Sequence, residues 1–527
     1  MVVSNETSHL LPRSPDHLSS SNLHRPHPES PHTKHLPVST NDFDVETKEL
    51  GTSSCQLFKV SLLSLGHWLG RNCAVPFTLL MSAIGAGTLA VPYTFVLLSP
   101  IQAVSVLCCV GLAMGYTADI LVDVHVSVAI ETTTTFLSPQ RIETYQHLAG
   151  KAGGKLLARF TGTLTAFAVF GACVGCICVV KDMAPTMLTA VMAHYYQRPL
   201  DEQQHAVVVA VWLVVLVLVL PLGCLTDIST LRYSSYFGVA FSLYLVGAVA
   251  YRALVGGGEA EADRVDAVAS ALERETPLFW RIAEVVGIYN FTFMLHLNVV
   301  PLLVQLEATE TTRRQEACGE NANGKAVAAV PILRYARRKM RCYLALAVGA
   351  CVLLYATFGV CAAQIYGSQT RGNILLNLSS DRIMVVPRVA ILLTILLSFP
   401  LLFHPLRSLV LEMIAVCTAS KSEKESDEEQ EQTHTLSQPV QASVTVLLLS
   451  AQILCALRVP GLQVVFSFVG ASVLLMLCYL FPLVCYIRLA PWRSGRKERT
   501  RLVFLLILAV VAVVFCVAAT LQLVVST

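Results

Sequence analysis

Two segments of this sequence contain residues that could bind a small charged molecule through the protein backbone. The first is the run SAIGAGTLAVPY, which begins at Ser82 and contains Gly85, Gly87 and Pro92. Two glycines and a proline weaken a helix, and an unwound turn leaves backbone N–H and C=O groups free. A helix that restarts after Gly87 would present free N–H groups and the positive end of its dipole, which suit a carboxylate. The simpler alternative is that these small residues serve close helix packing.

The second segment is the run GIYNFTFMLHLNVVP, which begins at Gly287. Its polar residues are Asn290, Thr292, His296 and Asn298. Polar and ionisable side chains are costly inside a membrane helix and usually face the interior of a helix bundle. His296 is therefore a candidate proton acceptor or substrate contact, with a structural hydrogen bond as the alternative. Phe291 and Phe293 either line a pocket or face lipid.

Both segments lie within apolar runs of the length that a helix needs to cross a bilayer, roughly 20 residues. We count eleven such runs, numbered here as spans 1 to 11: 75–98, 101–124, 160–180, 206–222, 236–254, 284–304, 342–365, 383–405, 441–457, 464–487 and 502–525. The weakened helices are spans 1 and 6, five spans apart. Interrupted helices at corresponding positions of two halves indicate a transporter built from an inverted repeat.

The composition supports an all-α polytopic membrane protein in a lipid bilayer. Only 14% of the residues are charged and the mean hydropathy is +0.62, whereas soluble proteins average about 25% charged residues. A net charge of +3 gives no reason to expect a nucleic-acid partner. No nucleophile–base pair or cofactor motif is present in the spans, so we expect neither an enzyme nor a cofactor. Cys173, Cys176 and Cys178 favour a small-residue helix face over a metal site, because no ligand cluster accompanies them.

Charge in the connecting segments predicts the orientation. The segments 305–341 and 488–501 contain eight and six Lys or Arg residues, whereas 256–282 has three Arg against six acids. This pattern predicts a cytoplasmic N-terminus. We expect residues 1–55 to form a disordered cytoplasmic tail and 56–527 to form the transmembrane domain, with an acidic low-complexity cytoplasmic loop at 419–438. Asp119 and Asp123, one turn apart at the cytoplasmic end of span 2, are either a gate or a solvated helix end.

With these residues identified, the chain resembles the amino acid/auxin permease family from about Pro76 to the end of span 11. Four motifs carry the resemblance in the same order: GAGTLAVPYTF in span 1, LPLGCLTDISTLRYSSYFGVAFSLY at 220–244, FTFMLHLNVVPLLVQLE at 291–307 and LSFPLLFHPLRS at 397–408. The tail composition and short loops are similar to those of its protozoan branch. The resemblance implies a LeuT-type 5+5 inverted repeat with an eleventh helix, and secondary active transport of amino acids.

The expected binding site combines the two interrupted helices. Its substrate-binding residues are Gly85, Ala86, Gly87, Thr88, Asn290, Phe291, Thr292 and Phe293. A zwitterionic amino acid suits such a site because free N–H groups bind its carboxylate and free carbonyls bind its ammonium group. The absence of a buried acid disfavours a dedicated lysine or arginine carrier.

The expected coupling residues are His296 and Ser398. In sodium-coupled relatives an Asn lies four residues before the first glycine of the motif, and here that position is Met81. A thioether is a poor ligand for a hard cation, although the Ser398 hydroxyl is kept. A proton needs a single titratable group, and imidazole titrates nearest to physiological pH. The sequence therefore predicts coupling to protons more than to sodium.

The sequence leaves two alternatives open. The first is an amino-acid-sensing receptor of the same fold with little transport. The second concerns the membrane, because Glu6 precedes Leu10 and Leu11 in an acidic dileucine pattern. That pattern favours an endosomal or lysosomal (vacuolar) membrane, whereas without it the plasma membrane is expected.

Overall fold

Helices form all the regular secondary structure in the part of the chain that the computed structural model describes. The described residues are 75–134, 144–196, 234–256, 276–318, 325–380, 384–422, 438–489 and 495–526. The predicted tail, span 4 and most of the acidic loop lie outside them. The tail and loop assignments therefore stay predictions.

Ten of the eleven predicted spans lie in the described part of the chain. Nine helices there are long and apolar enough to cross a membrane, and a bent pair of helices makes a tenth span. Span 2 is Pro100–Thr134, span 3 is Tyr145–Tyr196, span 5 is Ser234–Gly256 and span 7 is Lys325–Tyr366. Span 8 is Val385–Ser422, span 9 is Gln438–Arg458 and span 11 is Arg496–Ser526. Span 10 covers Leu462–Leu489. The prediction of an all-α polytopic membrane protein is confirmed.

Spans 2 and 7 are longer than the apolar runs that predicted them. Span 2 has 35 residues, which at ~1.5 Å per residue gives about 52 Å, well beyond a hydrocarbon core of ~30 Å. The predicted boundaries end where the apolar residues end, but the helices continue into the water. Their protruding ends carry the charged residues.

Ion pairs join the C-terminal part of span 2 and the N-terminal extension of span 7 to span 11. Arg341 on span 7 donates from Nε to Asp119 Oδ1 (2.6 Å) and from Nη2 to Asp123 Oδ2 (2.7 Å). Arg337 also bonds Asp123, and Arg501 on span 11 donates to Asp123 Oδ2 at 3.1 Å. Asp123 is only 5% exposed. It is thus a buried carboxylate shared by three arginines, which does not fit a solvated helix end.

Span 3 begins earlier than predicted because a kinked helical segment precedes it. Gly154 there has φ 71°, a left-handed conformation that favours glycine. The kink lets the helix begin at Tyr145, whose hydroxyl donates to the Leu477 carbonyl at 2.7 Å. Leu477 belongs to the π-helical turn Leu475–Leu480 of span 10, and such turns leave carbonyls without their usual helical partner.

Small residues bring spans 6 and 10 into direct backbone contact. A Cβ on Gly470 would overlap the Gly287 carbonyl oxygen, and a Cβ on Gly287 would lie 2.8 Å from the Ser467 carbonyl oxygen. Membrane helices associate closely through small residues because no bulky side chain separates their backbones. This packing fixes span 6 just before the point where its helix is interrupted.

Candidate functional site

Spans 1 and 6 are both interrupted where the sequence predicts it. Span 1 consists of Val75–Ala83 (span 1a) and Ala86–Leu97 (span 1b), bent by 41°. Span 6 consists of Leu278–Thr292 (span 6a) and His296–Cys318 (span 6b). The interrupted helices contact each other, so the two breaks lie side by side.

A side chain of another helix binds a backbone group that the span 1 break releases, and a pair of hydroxyls links the two interrupted helices. Tyr355 on span 7 donates its hydroxyl to the carbonyl of Ala83, the last residue of span 1a, at 2.9 Å. On the other side of the break, the hydroxyls of Thr94 and Tyr289 lie 2.7 Å apart and join span 1b to span 6a. Unwound backbone is tolerated at membrane depth only when it meets protein, water or a ligand. These contacts hold the breaks in place and leave part of the backbone beside a cavity.

That cavity has a volume of about 180 Å³ and lies between spans 1, 3, 5, 6 and 8. Among the described residues, those lining it include no Asp, Glu, Lys, Arg or His. Its polar groups are backbone atoms of the span 1 break, a few hydroxyls and the Asn298 amide. A ligand with charged ends would therefore be recognised mainly by backbone dipoles.

Six of the ten predicted site residues line this cavity: Gly85, Ala86, Gly87, Thr88, Phe291 and Ser398. The sequence missed the contributions of spans 3 and 5, among them Val169, Cys176 and Ser242. Those residues lie in apolar runs that carry no distinguishing pattern. A signal did exist in span 8, because Thr394 and Ser398 are four residues apart and so share one helix face.

Asn290 lies on the other side of span 6a, away from the cavity. Its Oδ1 accepts a hydrogen bond from the Tyr479 hydroxyl (2.9 Å), and its Nδ2 lies 3.4 Å from the Gly470 carbonyl oxygen and 3.4 Å from Cys516 Sγ. The side chain is fully buried. Asn290 thus joins span 6a to spans 10 and 11 in this conformation.

Thr292 and Phe293 also lie outside the cavity lining. The Thr292 hydroxyl donates within its own helix to the Ile288 carbonyl at 2.9 Å and lies 3.5 Å from the Gly87 carbonyl oxygen. Phe293 packs edge-to-face against Tyr355, with ring centroids 5.5 Å apart. Both are buried in protein, so neither is a lipid-facing residue.

His296 begins span 6b and faces span 2. Its Nε2 lies 2.9 Å from the Thr117 hydroxyl, the side chain is fully buried, and Nδ1 has no hydrogen-bond partner among the described residues. The structure therefore does not bring the two predicted coupling residues together: Ser398 lines the cavity and His296 does not.

The two glycines of the span 1 motif have different surroundings. A Cβ on Gly87 would lie 3.2 Å from Phe291 Cδ1 and 3.3 Å from Thr292 Oγ1, whereas a Cβ on Gly85 would meet no atom of the described residues within 4 Å. Gly87 is thus the residue that lets the breaks approach each other. Gly85 is exposed and leaves its space open to the cavity.

The cavity extends toward the face of the protein at which span 1 begins. Its lining includes Thr78 and Met81 of span 1a and Leu297 of span 6b, all on that side of the breaks. On the opposite side Phe291 stacks on Phe466 of span 10, with ring centroids 4.1 Å apart. Together with the contact between spans 6a and 10, this stack closes that side.

The amino-acid sequence is similar to those of known amino acid transporters. The sequence profile described as "Transmembrane amino acid transporter protein" matches residues 73–314 and 333–525. The chain is 21% identical to the amino acid transporter AVT6A of Arabidopsis thaliana, over 83% of this chain and 85% of that protein.

Two further relatives have similar levels of identity. The sodium-coupled neutral amino acid transporter 7 of Xenopus laevis is 23% identical, over 66% of this chain and 67% of that protein. The vacuolar amino acid transporter 6 of Saccharomyces cerevisiae is 22% identical, over 64% of this chain and 65% of that protein.

The unequal surroundings of the two glycines predict unequal effects of the same substitution. Gly87→Leu should destabilise the purified protein by about 1–3 kcal/mol, because its side chain has to displace Phe291 or Thr292. Gly85→Leu, the matched control, enters open space and should leave the unfolding temperature close to that of the wild type. Thermal unfolding in detergent measures both. An equal loss of stability in the two variants would contradict the different packing of these glycines.

Proposed function

Because the chain belongs to the family of transmembrane amino acid transporter proteins, we propose that it is a secondary active transporter that moves neutral amino acids together with protons. The substrate occupies the cavity between the breaks of spans 1 and 6. The observation that carries this proposal is the position of that cavity, which lies against the unwound backbone of Gly85–Thr88 and has no charged side chain in its described lining.

A zwitterion fits this lining for electrostatic reasons. Free backbone N–H groups at the start of span 1b favour its carboxylate, and carbonyls at the end of span 1a favour its ammonium group. Both interactions are independent of the substrate side chain. The part of the cavity formed by spans 3, 5 and 8 then selects among side chains.

That selective part favours neutral substrates. It is formed by residues such as Val169, Cys176, Leu245 and Ile395, which offer a substrate side chain apolar contact. A charged substrate side chain would lose its hydration there without gaining an ion pair, at a cost of several kcal/mol. The name of the Xenopus laevis relative, a neutral amino acid transporter, agrees with this proposal.

Transport requires the cavity to open alternately on the two sides of the membrane. The Phe291–Phe466 stack would have to separate for the substrate to reach the other side, while span 1a and span 6b close behind it. With the predicted orientation, the described conformation opens toward the cytoplasm. The receptor alternative uses the same cavity and is distinguished by the absence of net flux.

Proton coupling is favoured because the cavity lacks one of the side-chain oxygen ligands of the sodium site. Met81 and Ser398 both line it, so one of the two side-chain positions of the sodium site offers sulfur in place of oxygen. His296 remains a proposed coupling residue, acting from the interface of spans 2 and 6. The alternative coupling ion is sodium, which backbone carbonyls and the Ser398 hydroxyl would have to bind. The name of the Xenopus laevis relative, a sodium-coupled transporter, supports this alternative.

We further propose that the protein works in an endosomal or lysosomal (vacuolar) membrane, with the plasma membrane as the rival, and that its N-terminus is cytoplasmic. The acidic dileucine pattern at Leu10 and Leu11 supports the first assignment, as does the name of the yeast relative, a vacuolar amino acid transporter. The residues of that pattern lie outside the described part of the chain.

Uptake of a panel of labelled amino acids into proteoliposomes tests the substrate class. We expect neutral amino acids to exceed lysine and glutamate by more than about tenfold in kcat/KM, because the cost of an unpaired charge exceeds 1.4 kcal/mol. Binding without net flux of any amino acid would support a receptor instead. Equal uptake of charged and neutral substrates would contradict the proposed cavity.

The coupling ion is tested by uptake at pH 5.5 and pH 7.5, each with sodium and with an organic cation in its place. We expect acid to stimulate uptake at least about threefold, since a single titrating group changes its proton occupancy by up to ~10-fold per pH unit. The stimulation should persist without sodium and weaken in His296→Gln. Uptake that vanishes without sodium at both pH values would contradict proton coupling.

A further inference from the structure

An intramembrane carboxyl group lies in span 6a on the side of the break away from His296. Glu284 is six residues into the helix Leu278–Thr292 and eight residues before its end, which corresponds to about 12 Å from the break. It is half-buried where spans 1b, 10 and 11 pack on span 6a. An acid at such a position is costly and usually functional.

The partners of Glu284 are neutral. Gln522 on span 11 donates from Nε2 to Glu284 Oε2 at 3.3 Å. Ser467 of span 10 bonds only the backbone carbonyl of Glu284, at 3.4 Å. Tyr93 of span 1b is a titratable group that faces the carboxyl from a neighbouring helix.

No Lys, Arg or His nitrogen among the described residues lies within 4.0 Å of the Glu284 carboxylate. Arg281, one turn away on the same helix, donates to the Leu97 carbonyl at the end of span 1b (3.0 Å). A carboxylate in this position is therefore held by one amide rather than by an ion pair.

Protonation would complete the pairing of Glu284 with Gln522. The Gln522 Oε1 atom is buried and has no hydrogen-bond partner among the described residues. A buried acceptor without a donor is costly. A protonated Glu284 can donate its O–H to that oxygen while Gln522 Nε2 donates to the other carboxyl oxygen, and such an acid–amide pair satisfies both groups.

We propose that Glu284 binds the coupling proton on the side of the protein that is closed in this conformation. Proton binding replaces an anion held by one amide with a neutral acid paired to span 11. Span 6a also carries Phe291 and the glycine contact with span 10, so a change in its attachment acts directly on the elements that close the cavity. This inference rests on the proposed proton-coupled transport.

The test compares two reconstituted variants with the wild type. One is Glu284→Gln, and the other is the matched control Glu307→Gln, which alters an acid in the other half of span 6, span 6b. Two assays are needed. The first is exchange of a labelled neutral amino acid at equal internal and external pH, over a range of pH values. The second is accumulation driven by an imposed pH gradient.

We expect Glu284→Gln to exchange substrate above the rate of protein-free liposomes, to lose the pH dependence of that exchange and to lose gradient-driven accumulation. Glu307→Gln should keep both responses. Gradient-driven accumulation in Glu284→Gln at the wild-type level would overturn the inference, as would its loss in Glu307→Gln alone. A wild-type protein that exchanges no amino acid would refute the proposed function itself, which is a separate result.

Gln522→Leu provides a second variant should Glu284→Gln fail to fold. It removes both the amide N–H that holds the carboxylate and the oxygen that accepts from the protonated acid. We expect the pH of half-maximal exchange to shift relative to the wild type. An unchanged midpoint would contradict the role of the Glu284–Gln522 pair.

Discussion

Hydrocarbon offers no hydrogen bonds, and this constraint governs the structure around both helix breaks. A helix that stops inside the membrane releases carbonyl and amide groups, and each must find a partner there. Tyr355 binds the Ala83 carbonyl at the end of span 1a. Thr94 and Tyr289 join the restarted helix to span 6a. A hydroxyl on a neighbouring helix thus satisfies a carbonyl released at the span 1 break, and a second pair of hydroxyls links the two interrupted helices.

The same constraint explains why small residues surround the breaks. Gly287 and Gly470 bring spans 6 and 10 into backbone contact, and Gly87 brings the two breaks together. Gly85 is the exception, since nothing occupies the space beside it. Three of these glycines thus allow close helix packing, and the fourth leaves room for a ligand beside the unwound backbone.

The sequence was sufficient to predict the ten described spans and both breaks, because those depend on local composition: long apolar runs, two glycines near a proline, and polar residues in one span. It could not predict which way each side chain of a broken helix points. Asn290 and Phe291 are adjacent, yet one faces span 10 and span 11 and the other lines the cavity. The rotation of a helix about its axis is set by packing against other spans, and the sequence of the helix itself carries no signal for it.

The coupling residues show the same limit. His296 was predicted from its chemistry and its place beside the break, but the rotation of span 6b directs it to Thr117 on span 2. Glu284 lies in an apolar run eight residues before the end of span 6a, and a single acid in such a run carries no local signal. Its proposed role depends on Gln522, 238 residues away in the sequence, and on the oxygen of that amide, which has no partner in the described part of the chain.

The central claim is that an amino acid binds beside Gly85, between the two breaks. Ligand-induced stabilisation of the purified protein tests it most directly, since a ligand that binds only the folded state raises Tm with concentration. The account predicts that neutral amino acids raise the Tm of the wild type but not that of Gly85→Phe, whose ring fills the cavity while the unliganded Tm stays near the wild-type value. A shift of equal size in both proteins, or no shift in the wild type with any amino acid, would contradict it.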